Sequence, residues 1–134
     1  ISQVLHSEVG RCRRYNNPLS VIMIWLNDAS GRGLSAPDSL SAPAILGQLL
    51  AEQTRWADAI GRWSKEQFLL VLPETGLRAA ELLSEKIRAA ATAPERGDMV
   101  FDLRFSTSEW QRGDDARTLL ARAEASLQSM AQSA

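Results

Sequence analysis

The stretch from Ala57 to Pro73 constrains this chain most, because two strand-like runs, Ala57 to Trp63 and Gln67 to Leu72, flank Ser64-Lys65-Glu66. A hairpin is the natural closure of such a pair, and Pro73 ends its second strand. Upstream, Val4, Leu5, Val9 and Cys12 fall at helical spacing, and this helix should stop near Asn16-Asn17-Pro18. Leu19 to Leu26 then reads as a buried strand, continuously apolar and rich in β-preferring Val and Ile. From Asn27 to Pro43 the composition turns to Ser, Gly, Pro and Asp, the chemistry of a loop. A helix from about Ala44 to Arg55 should bury Ile45, Leu49, Leu50 and Trp56. Beyond the hairpin, Leu77 to Ala91 is amphipathic and Met99 to Thr107 alternates as a strand. Asp114-Asp115 opens a last helix with an acidic first turn. The expected order is α-β-α-β-β-α-β-α. No repeat or linker divides it, so residues 1–134 read as one α+β domain, an antiparallel sheet with flanking helices and ferredoxin-like connectivity.

Composition narrows the function classes. Fifteen basic residues against sixteen acidic ones leave no global field to attract a nucleic-acid duplex, so any anion site must be local. The longest apolar stretch, near Pro18 to Leu26, is too short to span a bilayer, and no direct membrane insertion by this domain is expected. A single Cys12 rules out an intrachain disulfide and fits a reducing, cytoplasmic setting, although the full-length protein could still be membrane-anchored. With one histidine, His6, neither a His-based metal cluster nor a His-dependent triad is expected, although carboxylate-only metal sites remain open.

Several segments carry a family resemblance. Pro18-Leu-Ser-Val-Ile-Met-Ile, Arg55-x-x-Asp58, Arg62-Trp-Ser-Lys-Glu-Gln-Phe68, Leu69-Leu-Val-Leu-Pro73-Glu-Thr, Glu85-Lys-Ile-Arg88 and Leu119-Leu-x-Arg-Ala-Glu124 occur in the order and approximate spacing of the GGDEF domain of diguanylate cyclases. The chain resembles that family over nearly its whole length. The resemblance implies the nucleotidyl-cyclase-like form of the fold already read from periodicity. The family's Asp-x-Leu-Thr segment is missing before the first helix, as expected of a domain excised from a longer multidomain protein.

Carried over position by position, the resemblance implies a degenerate catalytic site. Active members end their first strand in an aspartate that binds magnesium, since a triphosphate's counter-ion needs hard oxygen ligands. Here that position is Trp25, and the second aspartate is Asn27. The residues that hold guanine fall roughly at Gly33 and Ala42, in a shortened loop, and neither side chain can make those bonds. In the hairpin motif, Ser64 and Lys65 replace the glycines that let backbone approach phosphate. Glu66 keeps the carboxylate of the third position and is read as an exposed turn acid rather than a surviving metal ligand. Gln67 replaces the next acid and cannot act as a base, Phe68 is retained, and the phosphate-binding lysine of the last helix aligns with Ala131. Cyclisation of GTP is not expected, and neither metal nor cofactor is required.

Arg55 and Asp58 stand apart. They lie nine and six residues before the first hairpin-motif position, where the family has its inhibitory cyclic di-GMP site. A guanidinium can donate to guanine O6 and N7, and a carboxylate can accept from N1 and N2. Lys86 aligns with a supporting arginine, and Arg11 with one that contacts a ligand shared between two molecules, as in a homodimer. Lys86 meets phosphate only as a point charge. The plainer account makes Arg55 and Asp58 a helix-end cation and a strand-entry acid in a surface ion pair. Of the four tryptophans, Trp25 and Trp63 are expected to fill core or site, Trp56 to flank the ligand, and Trp110 has no assignment. The leading reading is a non-catalytic cyclic di-GMP receptor that relays its state to attached or partner signalling domains. A ligand-free structural or dimerisation module and a GTP-binding regulator are the alternatives.

Overall fold

A computed structural model describes residues 2–28, 42–55, 57–64, 66–91 and 101–133, with side chains throughout except at 2, 27–28, 42–44, 101–102 and 128–133. The elements follow the expected order: α1 (Ser2–Tyr15), β1 (Leu19–Asp28), α2 (Ala42–Gln53), β2 (Ala59–Ser64), β3 (Gln67–Pro73), α3 (Leu77–Ala91), β4 (Phe101–Glu109) and α4 (Ala116–Ser133). Among the described residues the sheet runs β2-β3-β1-β4, with every neighbouring pair antiparallel. This is the connectivity of a ferredoxin-like sheet with α1 added in front and α4 behind.

Strand alternation explains why β1 is apolar without interruption. Ile22, Ile24 and Leu26 point to one face with Leu70, Leu72 and Phe105, under Leu46, Leu49 and Leu50 of α2 and Ala80 and Ile87 of α3. Val21 and Met23 point to the other with Leu69 and Val71, under Leu5, Val9 and Cys12 of α1 and Leu119, Ala123 and Leu127 of α4. A strand covered on both sides has no polar face to keep. Each fully buried aliphatic side chain contributes about 1.5–3 kcal/mol relative to its exposed form. Ile24→Asp, by contrast, would place an unpaired carboxylate at a fully buried position. Burial, and then Glu8 nearby, push the Cys12 thiol up from its ordinary range, which keeps it protonated and unreactive.

Several boundaries depart from expectation. Helix α2 begins at Ala42 and takes in Pro43, tolerated in a first turn where no backbone donor is required. Strand β1 continues through Asn27 and Asp28 because β4 supplies partners, pairing Asn27 with Asp102 and Asp28 with Phe101. Strand β4 itself runs to Glu109, two residues past the expected end. The first turn of α4 holds no acid, since Asp114 and Asp115 precede it. Asp115 is instead its cap: Oδ1 accepts the Thr118 N–H at 2.8 Å, and Thr118 Oγ1 accepts the Asp115 N–H at 3.0 Å. Val4, expected on the buried stripe of α1, is 40% exposed.

Candidate functional site

The hairpin closes between Ser64 and Gln67, with a register irregularity between Arg62 and Ser64. Ser64 Oγ donates to Gln67 Oε1 at 2.9 Å, and Arg62 Nε donates to the Ser64 carbonyl at 3.0 Å. The Arg62 guanidinium also lies 5.4 Å from the Phe68 ring centroid, and that ring faces Gly47 of α2. Glu66 is exposed, as expected of a turn acid, yet it has a partner: Trp25 Nε1 donates to its Oε2 at 3.1 Å. The Leu26 N–H adds a backbone bond to the Glu66 carbonyl at 2.7 Å. Trp63, half-buried, donates from Nε1 to Glu124 on α4 at 3.2 Å. Lys65 lies outside the described residues, as do Trp56 and Gly33, while Ala42 and Ala131 fall on helices α2 and α4.

Arg55 and Asp58 bind each other across the turn between α2 and β2. Asp58 N–H returns to the Arg55 carbonyl at 3.0 Å, and Asp58 Oδ2 accepts the Arg55 N–H at 2.9 Å. A short polar side chain closing on a nearby backbone N–H stabilises such a turn. The side chains also form a long ion pair, Nη2 to Oδ1 at 3.5 Å, in which Arg55 is 60% exposed and Asp58 only 3%. Arg55 reaches further still, with Nη2 donating to Thr75 Oγ1 at 2.8 Å and to the Pro73 carbonyl at 3.1 Å. The α2–β2 turn is thereby tied to the β3–α3 turn, in which Glu74 takes the unusual φ of 54°.

Both residues line an open cleft of about 310 Å³, bounded by Gln53 at the end of α2, by Glu74 and Thr75, and by Ala79 and Leu83 of α3. Lys86 is exposed and does not line the cleft, but its spacing from Ala79 and Leu83 continues their helical stripe by one turn. Arg11 is not brought to the cleft within one chain. It lies on α1, which covers the opposite face of the sheet, and it pairs with Glu8 at 3.3 Å.

Trp110 now has an assignment. Its buried indole donates to the Asp114 carbonyl at 3.1 Å, and the Asp114 carboxylate accepts from the Gln111 N–H, Thr118 Oγ1 and both terminal nitrogens of Arg122. The Arg122 fork holds the Asp114 carboxyl below the usual carboxylate range. This network fastens the loop between β4 and α4, and none of these residues lines the cleft.

The family model "Diguanylate cyclase, GGDEF domain" matches residues 1–134. The chain belongs to the GGDEF family. Among curated proteins, none matches it. Among solved structures, this GGDEF domain is similar to the active GGEEF domain of a diguanylate cyclase from Vibrio cholerae, at 23% identity and a TM-score of 0.81 over 98% of this chain and 87% of that one. It is also similar to the GGDEF domain of DgcB from Caulobacter crescentus in complex with c-di-GMP, at 11% identity and a TM-score of 0.79 over 98% and 82%. A third is the diguanylate cyclase SiaD from Pseudomonas aeruginosa in complex with its activator SiaC, at 22% identity and a TM-score of 0.78 over 98% and 53%. At such identities the likeness establishes a shared fold.

Two features of the GGDEF domain were not foreseen from its sequence. Thr75 sits twenty residues from Arg55, and Glu66 forty-one from Trp25. The Leu-Pro-Glu-Thr run marked a strand end, but no local pattern shows which turn a neighbouring strand places beside it.

Proposed function

We propose that this GGDEF domain is a non-catalytic receptor for cyclic di-GMP, which binds at the Arg55 and Asp58 cleft and alters how the domain engages attached or partner signalling domains. The observation that carries the reading is that Arg55 and Asp58 share an open cleft in which the guanidinium remains largely exposed. An exposed guanidinium offers donors to guanine O6 and N7, while the nearly buried Asp58 carboxylate, engaged by the Arg55 N–H and guanidinium, would have to turn outward to accept from N1 and N2. DgcB, a fold relative, was solved with this ligand, which supports the ligand class, and SiaD with an activator protein, which supports a relay through a partner.

The absence of turnover rests on donor chemistry. Trp25 stands at the position of a family magnesium ligand and gives an N–H where the cation would need an oxygen. That N–H takes up Oε2 of Glu66, so the indole does by hydrogen bond what the cation would do by coordination. The side chains present do not suit magnesium. Gln67 supplies no carboxylate, and its Oε1 already accepts from Ser64.

Titration of the domain with cyclic di-GMP and, in parallel, GTP tests the reading. Cyclic di-GMP should bind and GTP should not. Arg55→Ala should weaken binding by about 1–3 kcal/mol, the range for one bidentate guanine contact. Asp58→Ala should weaken it by a similar amount and lower discrimination against cyclic di-AMP, and it should also cost stability because the Arg55 N–H loses its acceptor. Absence of heat with wild type into the micromolar range would overturn the receptor.

One observation favours a second reading. Asp58 is nearly buried with Oδ2 on the Arg55 N–H, which gives it a structural role without any ligand. On that reading the domain is an interaction module, and both variants lose stability while no dinucleotide binds.

A further inference from the structure

We infer that Thr75 is a positioning residue for cyclic di-GMP, its hydroxyl holding the Arg55 guanidinium ready for the ligand, an inference that rests on the receptor reading above. The bonds that hold the Arg55 side chain converge on one nitrogen. Nη2 donates to Thr75 Oγ1 at 2.8 Å and to the Pro73 carbonyl at 3.1 Å, with Asp58 Oδ1 more distant at 3.5 Å. Nε and Nη1 carry no partner among the described residues and remain as donors for a ligand in the cleft. Thr75 is itself oriented, because its Oγ1 donates to the same Pro73 carbonyl at 3.0 Å. The hydroxyl proton is thus committed, and a lone pair of Oγ1 faces Arg55.

A long exposed arginine otherwise samples many rotamers, and ordering it on binding costs affinity. A guanidinium already held at one nitrogen has met part of that cost before the ligand arrives. The turn carrying Thr75 does not depend on the hydroxyl. Buried Ser20 donates from Oγ to the Thr75 carbonyl at 2.8 Å, and the Leu77 N–H donates to Glu109 Oε2 at 3.2 Å. Removing the hydroxyl therefore takes away the shortest of these bonds and loosens Arg55, which keeps the Pro73 carbonyl and the long Asp58 contact, while the backbone that borders the cleft stays in place.

The test is calorimetric titration of wild type, Thr75→Val, Thr75→Ser, Arg55→Ala and the double variant Arg55→Ala with Thr75→Val, all with cyclic di-GMP. Thr75→Val should bind about three- to tenfold more weakly, the scale of one immobilised side chain. Thr75→Ser, which keeps the oxygen, should bind as wild type does. The double variant should bind as Arg55→Ala alone, since the hydroxyl acts only through the guanidinium; a merely structural role would weaken both backgrounds alike. In the free protein, side-chain nitrogen NMR should show hindered rotation of the Arg55 guanidinium in wild type and Thr75→Ser and measurably faster rotation in Thr75→Val, where the Pro73 carbonyl alone accepts from Nη2 at close range. Binding by Thr75→Val that equals or exceeds wild type overturns the inference and leaves the receptor intact. No binding by wild type ends both. If Thr75→Val fails to fold, Thr75→Ala takes its place, and failure of both makes the hydroxyl a structural requirement and ends the inference.

Discussion

Trp25 and Glu66 meet where β1 runs beside the hairpin, the indole Nε1 donating to the carboxylate at 3.1 Å. Register explains the meeting, because Trp25 pairs with Gln67 and so stands one residue from Glu66 across the strands. The half-buried indole packs against the core beneath α1 and α4 while its N–H reaches the turn. Trp25 is therefore both a packing residue and the hydrogen-bond partner of the one acid retained between Ser64 and Phe68.

Incubation of the domain with GTP and magnesium or manganese should yield no cyclic product above a protein-free control. Restoring the motif should not suffice. Trp25→Asp combined with Ser64→Gly, Lys65→Gly and Gln67→Glu supplies carboxylates and backbone access, but on the proposed reading Gly33, Ala42 and Ala131 still stand where the family's guanine-binding residues and phosphate-binding lysine align. That variant should stay inactive or nearly so, and it should melt lower than wild type because it replaces a packed indole with an acid. Chromatographic detection of cyclic di-GMP reads both. Robust turnover by either protein would show that the lost contacts are dispensable.

Much of the fold was legible because periodicity reports burial, and burial decides which residues form each element. Helix α3 runs from Leu77 to Ala91 as its spacing predicts, with Ala80, Ser84, Ile87 and Ala91 inward. Where an end depends on a neighbour, the sequence is silent: β1 gains Asn27 and Asp28 only because β4 lies alongside. The site divides the same way. Arg55 and Asp58 were visible as a spaced pair, since three residues span one turn. Thr75 was not, because its place beside Arg55 follows from the end of β3 meeting the end of α2. Trp110 gave no periodic signal, as its role is to hold the Asp114 carbonyl in a loop.

Lys86 supplies a separate electrostatic test of the cleft. It is exposed on α3 and outside the cleft lining, so its contribution should be a through-solvent attraction to the ligand's phosphates. Lys86→Ala should weaken cyclic di-GMP binding at low salt, and the loss should shrink as salt rises and the screening length falls from about 10 Å at 0.1 M to about 3 Å at 1 M. Lys86→Arg adds a planar fork and should bind at least as tightly as wild type. Calorimetry at several salt concentrations checks this, and an effect of Lys86→Ala that ignores salt would place the ammonium in direct, desolvated contact instead.

The Asp114 network sets an acid limit on stability. Arg122 donates to Asp114 Oδ2 at 2.8 Å and to the Glu109 carbonyl at 2.8 Å, and the Gln111 N–H adds a third bond at 2.8 Å. The hydrogen bonds from Arg122 are the first cause of the lowered carboxyl affinity for protons. A carboxylate that binds its proton less tightly when folded stabilises the fold fully above its unfolded pKa, about 3.9, and loses that contribution as pH falls through its lower folded value. Asp114→Asn should therefore be destabilised at pH 7 and approach wild type below about pH 4. Because Arg122 is 38% exposed, solvent screening keeps the neutral-pH loss at or below the lower end of the roughly 1.5–3 kcal/mol range for a bond to a charged group. Thermal melts of both proteins from pH 7 down to pH 3 give the comparison. A difference in melting temperature that stays constant across that interval would mean that the asparagine acts through packing, not through the loss of the carboxylate's charge.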